Sequence, residues 1–231
     1  MAKERLTNLS PEELEKMHML SQRVLCDYRD PRRGAYRIVY VYSHTKDNEA
    51  STFLKAVELV EMRAKKLLGI AEGDLGHGYE GFDHSIERLR EFGFQDQVPI
   101  VKLGMGNVNT GSEARVLATY VNGMQANKAT HGDVGIIAPP FHLVRAFITT
   151  VTAILREEGL TENDQKTRVY AIPGVSLPWM QTVAHSQGTL VRTRAELLED
   201  ELKRLEAYRA EKFGSMLSAE KVLAYLNWRD C

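Results

Sequence analysis

Four short apolar segments, each followed or preceded by a helical pattern, restrict the fold of this chain more than any other sequence feature. They read RIVYVYS, VPIVKL, DVGIIAP and RVYAIPG, and their β-branched and aromatic content is typical of buried strands. Since strands alternate with helices, we expect an α/β fold with a mostly parallel sheet and helices on both faces. The strands are predicted over Arg37–Ser43, Pro99–Leu103, Val134–Ala138 and Arg168–Ile172.

The helices are predicted from apolar spacing and from capping signals. Ser10, Pro11 and Glu13 form a helix start, because serine caps, proline suits the first helical position and glutamate completes a capping box. We expect one domain over 1–231, with a core at about 36–175 and helical extensions at 10–27 and 190–228. Other helices are predicted over about 48–68, 86–92, 110–126 and 141–159, and the 190–213 helix carries an apolar stripe at Val191, Ala195, Leu198, Leu202 and Leu205.

Composition excludes several classes of function. The 231 residues carry a net charge of -1, which gives no sign of a nucleic-acid partner but leaves a small anionic ligand open. Cys26 and Cys231 have no metal-ligand or redox spacing, so a reducing compartment is expected. The first residues have no apolar core typical of a secretory signal, and no run reaches the ~18 apolar residues of a membrane span. We therefore expect a cytoplasmic protein without a membrane partner.

The stretch GMGNVNTGSEARVLATY, residues 104–120, places small polar residues where a predicted strand meets a helix. Gly106 and Asn109 lie at the sheet edge where α/β proteins bind ligands. The stretch matches neither the dinucleotide fingerprint, which has a third glycine, nor the P-loop, which has a lysine. Two interpretations remain open: a ligand-binding turn, or a capping box in which Thr110 and Glu113 satisfy each other's backbone.

The stretch APPFHLVRA, residues 138–146, follows another predicted strand and ends at the same edge. His142 and Arg145 are three residues apart and share one face of the following helix. Arginine near a helix N-terminus opposes the helix dipole at a cost of roughly 0.3–1 kcal/mol, so a negative partner is expected. That partner is either a structural carboxylate such as Glu113 or a bound anion.

Two further groups of residues could form sites. Asp74, His77, Asp83 and His84 lie in a glycine-rich loop, but their spacing matches no established metal motif. No G-x-S-x-G elbow surrounds Ser186 in the His185-Ser186 pair, so we expect a loop at the ligand edge. The sequence therefore predicts no metal site and no serine nucleophile.

The segments GYEGFDHSIERLREFGF, NTGSEA and FHLVRA together resemble the YdcF-like family, a domain of unknown function that also includes the SanA and ElyC proteins. The resemblance covers roughly residues 70 to 175. It implies a Rossmann-like three-layer sandwich in which both motifs line one pocket. It also suggests S-adenosylmethionine as a candidate ligand, since one family member is reported to bind it. The first predicted strand departs from the family pattern because it ends in YSHTKDN rather than in a glycine-rich turn.

These patterns predict a small anionic or nucleotide-like ligand at the carboxyl edge of the sheet. We expect Gly106, Asn109, Thr110 and Arg145 to bind it. His142 would act as a general base or a hydrogen-bond donor, and Glu113 would orient Arg145 or His142. Hydrolysis or group transfer would be the reaction class if chemistry follows. Two alternatives stay open: a sensor that binds without turnover, and a homodimer formed through the N-terminal and 190–213 helices.

Overall fold

The structure is a computed structural model that describes residues 10–27, 36–62, 67–95, 98–104, 109–126, 133–159, 166–185, 190–209 and 216–231. Its helices are α1 (Pro11–Leu25), α2 (Lys46–Glu61), α3 (Phe82–Glu91), α4 (Thr110–Ala126), α5 (Pro140–Glu157), α6 (Arg194–Arg209) and α7 (Ala219–Asp230). Its strands are β1 (Ile38–Val41), β2 (Leu68–Ala71), β3 (Ile100–Leu103), β4 (Val134–Ala138), β5 (Val169–Pro173), β6 (Thr182–His185) and β7 (Leu190–Thr193).

The expected parallel sheet is present and has five strands in the order β3-β2-β1-β4-β5. The side chains of β1 alternate between two cores: Ile38 and Tyr40 face one, and Val39 and Val41 face the other. The first core is completed by α1, α4, α5, α7 and Leu205 of α6, and the second by α2 and α3. This is the predicted three-layer, Rossmann-like α/β arrangement.

One strand of this sheet was not predicted. The sequence pattern extended α2 to residue 68, whereas the helix ends at Glu61 and β2 occupies Leu68–Ala71. The segment LGIA is short and contains Gly69, which lowers its strand signal. In the sheet this glycine has a packing reason, because a Cβ there would lie 3.0 Å from the Tyr40 ring.

The predicted 190–213 helix also begins later than expected. Leu190–Thr193 forms strand β7, which pairs antiparallel with β6 in a separate two-stranded sheet. The helix starts at Arg194 because Thr193 and Glu196 cap it reciprocally: each backbone N–H donates to the other residue's side chain. Val191 is therefore a strand residue with 64% of its surface exposed. The predicted buried stripe is also wrong at Ala195 and Leu202, which are exposed, and the buried apolar residues of the helix are Leu197 and Leu205.

The terminal helices pack directly on the central sheet. Ser10 and Glu13 form the predicted capping box at the start of α1. Arg229 of α7 donates to both carboxylate oxygens of Asp27, at 2.7 Å each, and to the carbonyl of Val169 in β5. The segment that follows α1 is thus joined to α7, and α7 is joined to an edge strand.

Candidate functional site

The crevice between β1 and β4 is where this fold is expected to bind a ligand. These strands are neighbours, but β1 leads into α2 on one face of the sheet and β4 leads into α5 on the other. Ligands of open α/β sheets bind at such a switch point, beyond the carboxyl ends of the strands. His44 follows β1 by three residues and His142 follows β4 by four, so both lie at this edge.

Arg145 and Glu201 form the centre of a buried polar network at the crevice. Arg145 donates through Nε to Glu201 Oε2 and through Nη2 to Glu201 Oε1, the latter at 3.0 Å. Its Nη1 donates to Thr110 Oγ1 at 2.8 Å. The negative partner that the sequence required for Arg145 is therefore a structural carboxylate, and it comes from α6.

Two histidines complete this network. His142 Nδ1 lies 3.0 Å from Glu201 Oε2, and His185 Nε2 lies 3.2 Å from Glu201 Oε1. Because the ionised Glu201 carboxylate can only accept, we assign the imidazole proton to His142 Nδ1, and the 3.1 Å approach of Arg145 Nη2 to that atom is then a contact and not a hydrogen bond. This leaves His142 Nε2 as an acceptor, 3.4 Å from the Thr110 hydroxyl.

The charges of the network follow from burial and from Arg145. Burial and the nearby guanidinium lower the pKa of His142 to about 4, so its ring is neutral at pH 7. Burial likewise lowers the pKa of His185. Burial alone would raise the pKa of Glu201, but Arg145 and the two histidines outweigh it and hold that pKa well below its usual value. The network is the Arg145–Glu201 ion pair flanked by neutral imidazoles, with the partly exposed Arg204 Nη1 3.5 Å from Glu201 Oε1 as a second, longer ion pair.

Glu113 faces a different set of partners. Its Oε1 accepts hydrogen bonds from the Tyr40 hydroxyl and from the Ser43 backbone N–H, both at 2.9 Å. Burial raises the pKa of Glu113 to about 7, and these hydrogen bonds oppose the rise. The carboxylate hydrogen-bonded to both His142 and Arg145 is Glu201, so Glu201 holds the orienting position expected for Glu113.

Among the described residues, His44 is the one histidine of the crevice with a buried side-chain atom that has no hydrogen-bond partner. The residue is only 8% exposed, and its buried Nε2 has no hydrogen-bond partner among the described residues. Its ring centroid lies 5.2 Å from that of His142 and 6.4 Å from that of His185. Burial, reinforced by these two histidines, holds the pKa of His44 well below its usual value, so the ring is neutral.

Two clefts open at this edge of the sheet. One has a volume of about 330 Å³ including the solvent at its mouth, and its lining includes Ser43, His44 and Glu49. The other has about 210 Å³ on the same measure, with Phe141 and Trp179 among its lining residues. His44 therefore connects the buried histidines to a cleft on the β1 side.

Three donor groups in the network come close enough to suggest a metal ion. Ligand atoms of His142, His185 and Glu201 lie within 4.8 Å of one another. The guanidinium of Arg145 occupies the same space, 3.1 Å from His142 Nδ1, and donates to both carboxylate oxygens. A divalent cation there would face that positive charge at short range in a buried setting, so the trio fits an ion-pair network better than a metal centre.

The residues predicted at the start of α4 separate into two groups. Asn109 is exposed and caps the helix with Ser112, whose N–H donates to Asn109 Oδ1 while Ser112 Oγ accepts from Asn109 N–H. Thr110 is the first helical residue and faces His142 and Arg145. The capping box expected between Thr110 and Glu113 therefore lies one residue earlier. Gly106 falls outside the described residues.

The other sequence candidates are dispersed. His84 bonds through Nε2 to Glu49 at 3.0 Å, Asp83 is exposed, and Asp74 pairs with Tyr79 in an isolated bridge. Ser186 lies outside the described residues. The loop expected at His185 is wrong, because His185 is the last residue of strand β6, and it lies inside the network.

His44 and Glu201 are site residues that the sequence patterns did not predict. His44 had a usable signal, since it directly follows a predicted strand at the ligand edge. Glu201 had none of its own, because it lies among charged residues typical of a solvated helix surface. Only the charge of Arg145 beside a helix N-terminus indicated that some carboxylate had to be nearby.

Comparisons of this chain with protein-family models, with curated proteins and with solved structures found no match. Among the described residues, no helix is both long and apolar enough to cross a bilayer. The resemblance to the YdcF-like family therefore stays a prediction, and the site must be interpreted from its own geometry.

Proposed function

We propose that this protein binds a small anionic ligand in the crevice between β1 and β4, with His44 as a direct hydrogen-bonding partner. The observation that carries the proposal is the buried Nε2 of His44, which has no partner among the described residues. Leaving a polar atom buried without a partner costs about 1–3 kcal/mol, so it calls for an explanation. A ligand atom bound at the switch point supplies one.

The two helices that begin at the crevice support an anion over a cation. Neither α2 nor α5 has a side-chain cap: the hydroxyl of Thr45 donates instead to the carbonyl of Ala184, and α5 is preceded by Pro139. The N-terminus of a helix carries a partial positive charge and unpaired N–H groups, which favour negative ligands. His44 stands directly before the first of these helices.

The neutral His142 supports chemistry on the bound ligand. Its Nδ1–H is held by Glu201, so Nε2 is presented as a base beside the Thr110 hydroxyl. This hydroxyl–imidazole–carboxylate order resembles the arrangement that activates hydrolytic nucleophiles. We propose His142 as general base, Glu113 as a second titrating group, Thr110 and Arg145 as ligand contacts, and hydrolysis or group transfer as the reaction class.

Asn109, which precedes α4, and Gly106, which lies outside the described residues, keep their predicted roles as ligand contacts in this proposal. The resemblance to the YdcF-like family adds S-adenosylmethionine to the ligands worth testing. The same crevice without turnover would make the protein a sensor, which is the alternative function.

A thermal-shift screen tests the proposal, using S-adenosylmethionine, nucleotides, sugar phosphates and simple anions on the wild type and on His44→Phe. A ligand at about 100 times its Kd adds roughly 2.7 kcal/mol of stability. We expect at least one anion to stabilise the wild type and to lose its effect in His44→Phe. The free variant should melt at or above the wild-type temperature, because phenylalanine removes the unpartnered nitrogen and keeps a ring.

His18→Phe is the matched control, since His18 is exposed on α1 and far in sequence from the crevice. It should respond to the same anion as the wild type. The proposal fails if no anion stabilises the wild type, or if the response survives His44→Phe. Binding that is retained in His142→Ala while no product forms in the wild type favours the sensor.

A further inference from the structure

Strands β6 and β7 and helix α6 form a strap across the carboxyl edge of the sheet, described over residues 182–185 and 190–209. The two strands form a sheet of their own, separate from the five-stranded one. The apolar contacts of the strap lie in two places: Val183 and Leu197 pack with Phe141 in a small separate cluster, and Leu205 near the end of α6 is buried in the first main core. The part of the strap over the crevice is attached by the small cluster and by polar contacts, and a segment with few apolar contacts opens most readily, so this part is expected to move while the end of α6 stays in the core.

Polar contacts attach the strap to the first turn of α2. The backbone N–H of Ala184 donates to Asp47 Oδ2 at 2.8 Å, and its carbonyl accepts from Thr45 Oγ1 at 2.7 Å. Arg194 donates to Asn48 Oδ1 at 2.9 Å. The strap is therefore attached at the α2 side of the crevice, and its helix α6 places Glu201 in the crevice.

The Glu201 side chain has the contacts of a bound carboxylate ligand. Its two oxygens accept from Nε and Nη2 of Arg145, and each oxygen also meets one imidazole, from His142 or His185. Two parallel donors from one guanidinium to two oxygens are the usual recognition of a carboxylate by arginine. Only 3% of Glu201 is exposed.

The partners of this carboxylate divide between the strap and the sheet edge. His142 and Arg145 belong to α5 and remain at the crevice wherever the strap lies, whereas His185 and Glu201 belong to the strap. If the strap moves away, Arg145 loses the carboxylate that balances its buried charge, which is a costly state unless another anion replaces it.

We propose that the ligand of the crevice is a small carboxylate, and that its carboxylate group replaces that of Glu201 on Arg145 and His142 when the strap moves aside. This inference rests on the proposed function and narrows its ligand to one class, the carboxylates, which compete with the side chain of Glu201 for Arg145. The site suits a planar, singly charged, two-oxygen group, since it holds one such group now.

The first test measures acetate binding to Glu201→Gln by thermal shift, with sodium chloride at equal ionic strength as the reference. Glutamine keeps the size of the side chain but removes the competing charge. We expect the apparent Kd for acetate to fall at least about tenfold relative to wild type, because a larger fraction of the protein is then competent to bind. Adding Arg145→Gln should abolish the gain.

Glu199→Gln is the matched control on the same helix, because Glu199 is exposed and pairs only with Lys203 at 3.2 Å among the contacts described for it. It should bind acetate as the wild type does. The inference is overturned if Glu201→Gln folds but binds acetate no more tightly than this control, or if the gain persists without Arg145.

The second test uses the wild type and so does not depend on a variant that folds. Acetate should raise amide hydrogen exchange in β6, β7 and α6 while lowering it in residues 44–49, whereas chloride at equal ionic strength should do neither. Unchanged or slower exchange in the strap on acetate binding contradicts displacement of Glu201.

These outcomes separate the inference from the proposed function. Suppose that anion binding requires His44, that carboxylates bind no better than other anions, and that acetate does not raise hydrogen exchange in the strap. The proposed function would then stand, and the inference of a carboxylate ligand would be overturned. If Glu201→Gln binds acetate more tightly than the wild type and His44→Phe does not weaken that binding, Arg145 remains a carboxylate site. The role given to His44 would then be overturned.

Discussion

At the scale of single residues, the crevice contains buried groups whose pKa values are shifted in opposite senses. Burial lowers the pKa of His142 to about 4 and raises that of Glu113 to about 7. Between pH 4 and 6.5 the unfolded state binds more protons at His142, so this residue makes stability rise with pH. Glu113 does the reverse, because between its usual value of 4.5 and about 7 the folded state binds the extra proton.

Glu113→Gln isolates the second effect. The stability linked to the Glu113 carboxyl is present below about pH 4.5 and is lost as the pH rises to 7, whereas glutamine stays neutral throughout. We expect the free energy of unfolding of the variant to rise relative to that of the wild type by on the order of 3 kcal/mol between about pH 4.5 and pH 8. Urea denaturation at both pH values measures this difference. A difference that is constant or shrinks with pH would mean that Glu113 is already ionised in the folded protein at the lower pH.

At the scale of elements, Arg194 holds the strap to the rest of the protein. It donates to Asn48 Oδ1, to Gln181 Oε1 at 2.8 Å and to the carbonyls of Asp47 and Pro178. These contacts join the start of α6 to the first turn of α2. They are the part of the strap attachment that a single substitution can remove.

Arg194→Met should therefore loosen the strap selectively. We expect a loss of roughly 3 kcal/mol, since hydrogen bonds from a charged group contribute about 1.5–3 kcal/mol each and methionine keeps some packing. Hydrogen exchange should rise in β6, β7 and α6 and stay unchanged in the central sheet. Arg192 is exposed and pairs with Asp200 at 3.2 Å, so Arg192→Met should change neither the free energy of unfolding nor the hydrogen exchange of the strap. Equal exchange in strap and sheet would show that the strap does not open separately.

The elements that the sequence predicted correctly are those with strong local signals. The capping residue Ser10 starts its helix as expected, and β4 and β5 are apolar runs long enough to stand out. β2 was missed because Gly69 weakens the strand pattern of its segment. The reason for this glycine, its close packing against Tyr40, exists only in the folded sheet. At the site, His142, Arg145 and Thr110 could be placed by the sheet-edge rule, but Glu201 depends on a long-range contact that no local pattern encodes.

At the scale of the whole molecule, the first and last described helices, α1 and α7, are parts of the core. Met17, Leu20 and Val24 of α1 are buried in the same cluster as α5 and α7. The apolar face of α1 that could have paired with a second subunit is thus covered by this chain. A homodimer stays a prediction for the exposed side of the strap, where Val191 lies, and light scattering at two concentrations tests it.

Arg229→Met tests whether the C-terminal helix supports the whole fold. Removing one partner of a buried ion pair costs about 3–5 kcal/mol, and here it also leaves the Val169 carbonyl without this donor. We expect a loss of that size in one cooperative urea transition, as a single domain over 1–231 requires, while the exposed Lys221→Met has little effect. Two separate transitions would divide the chain into independent units.

The most direct measurement of ligand binding at the crevice is long-range proton–nitrogen NMR of the seven histidine side chains. Spectra would be recorded with and without the tightest-binding anion of the screen. We predict that the Nε2 resonance of His44 moves on binding, because the anion gives that atom its hydrogen-bond partner, while exposed His18 stays unchanged. If the His44 resonances stay unchanged when the protein is saturated with the ligand, binding between β1 and β4 is contradicted.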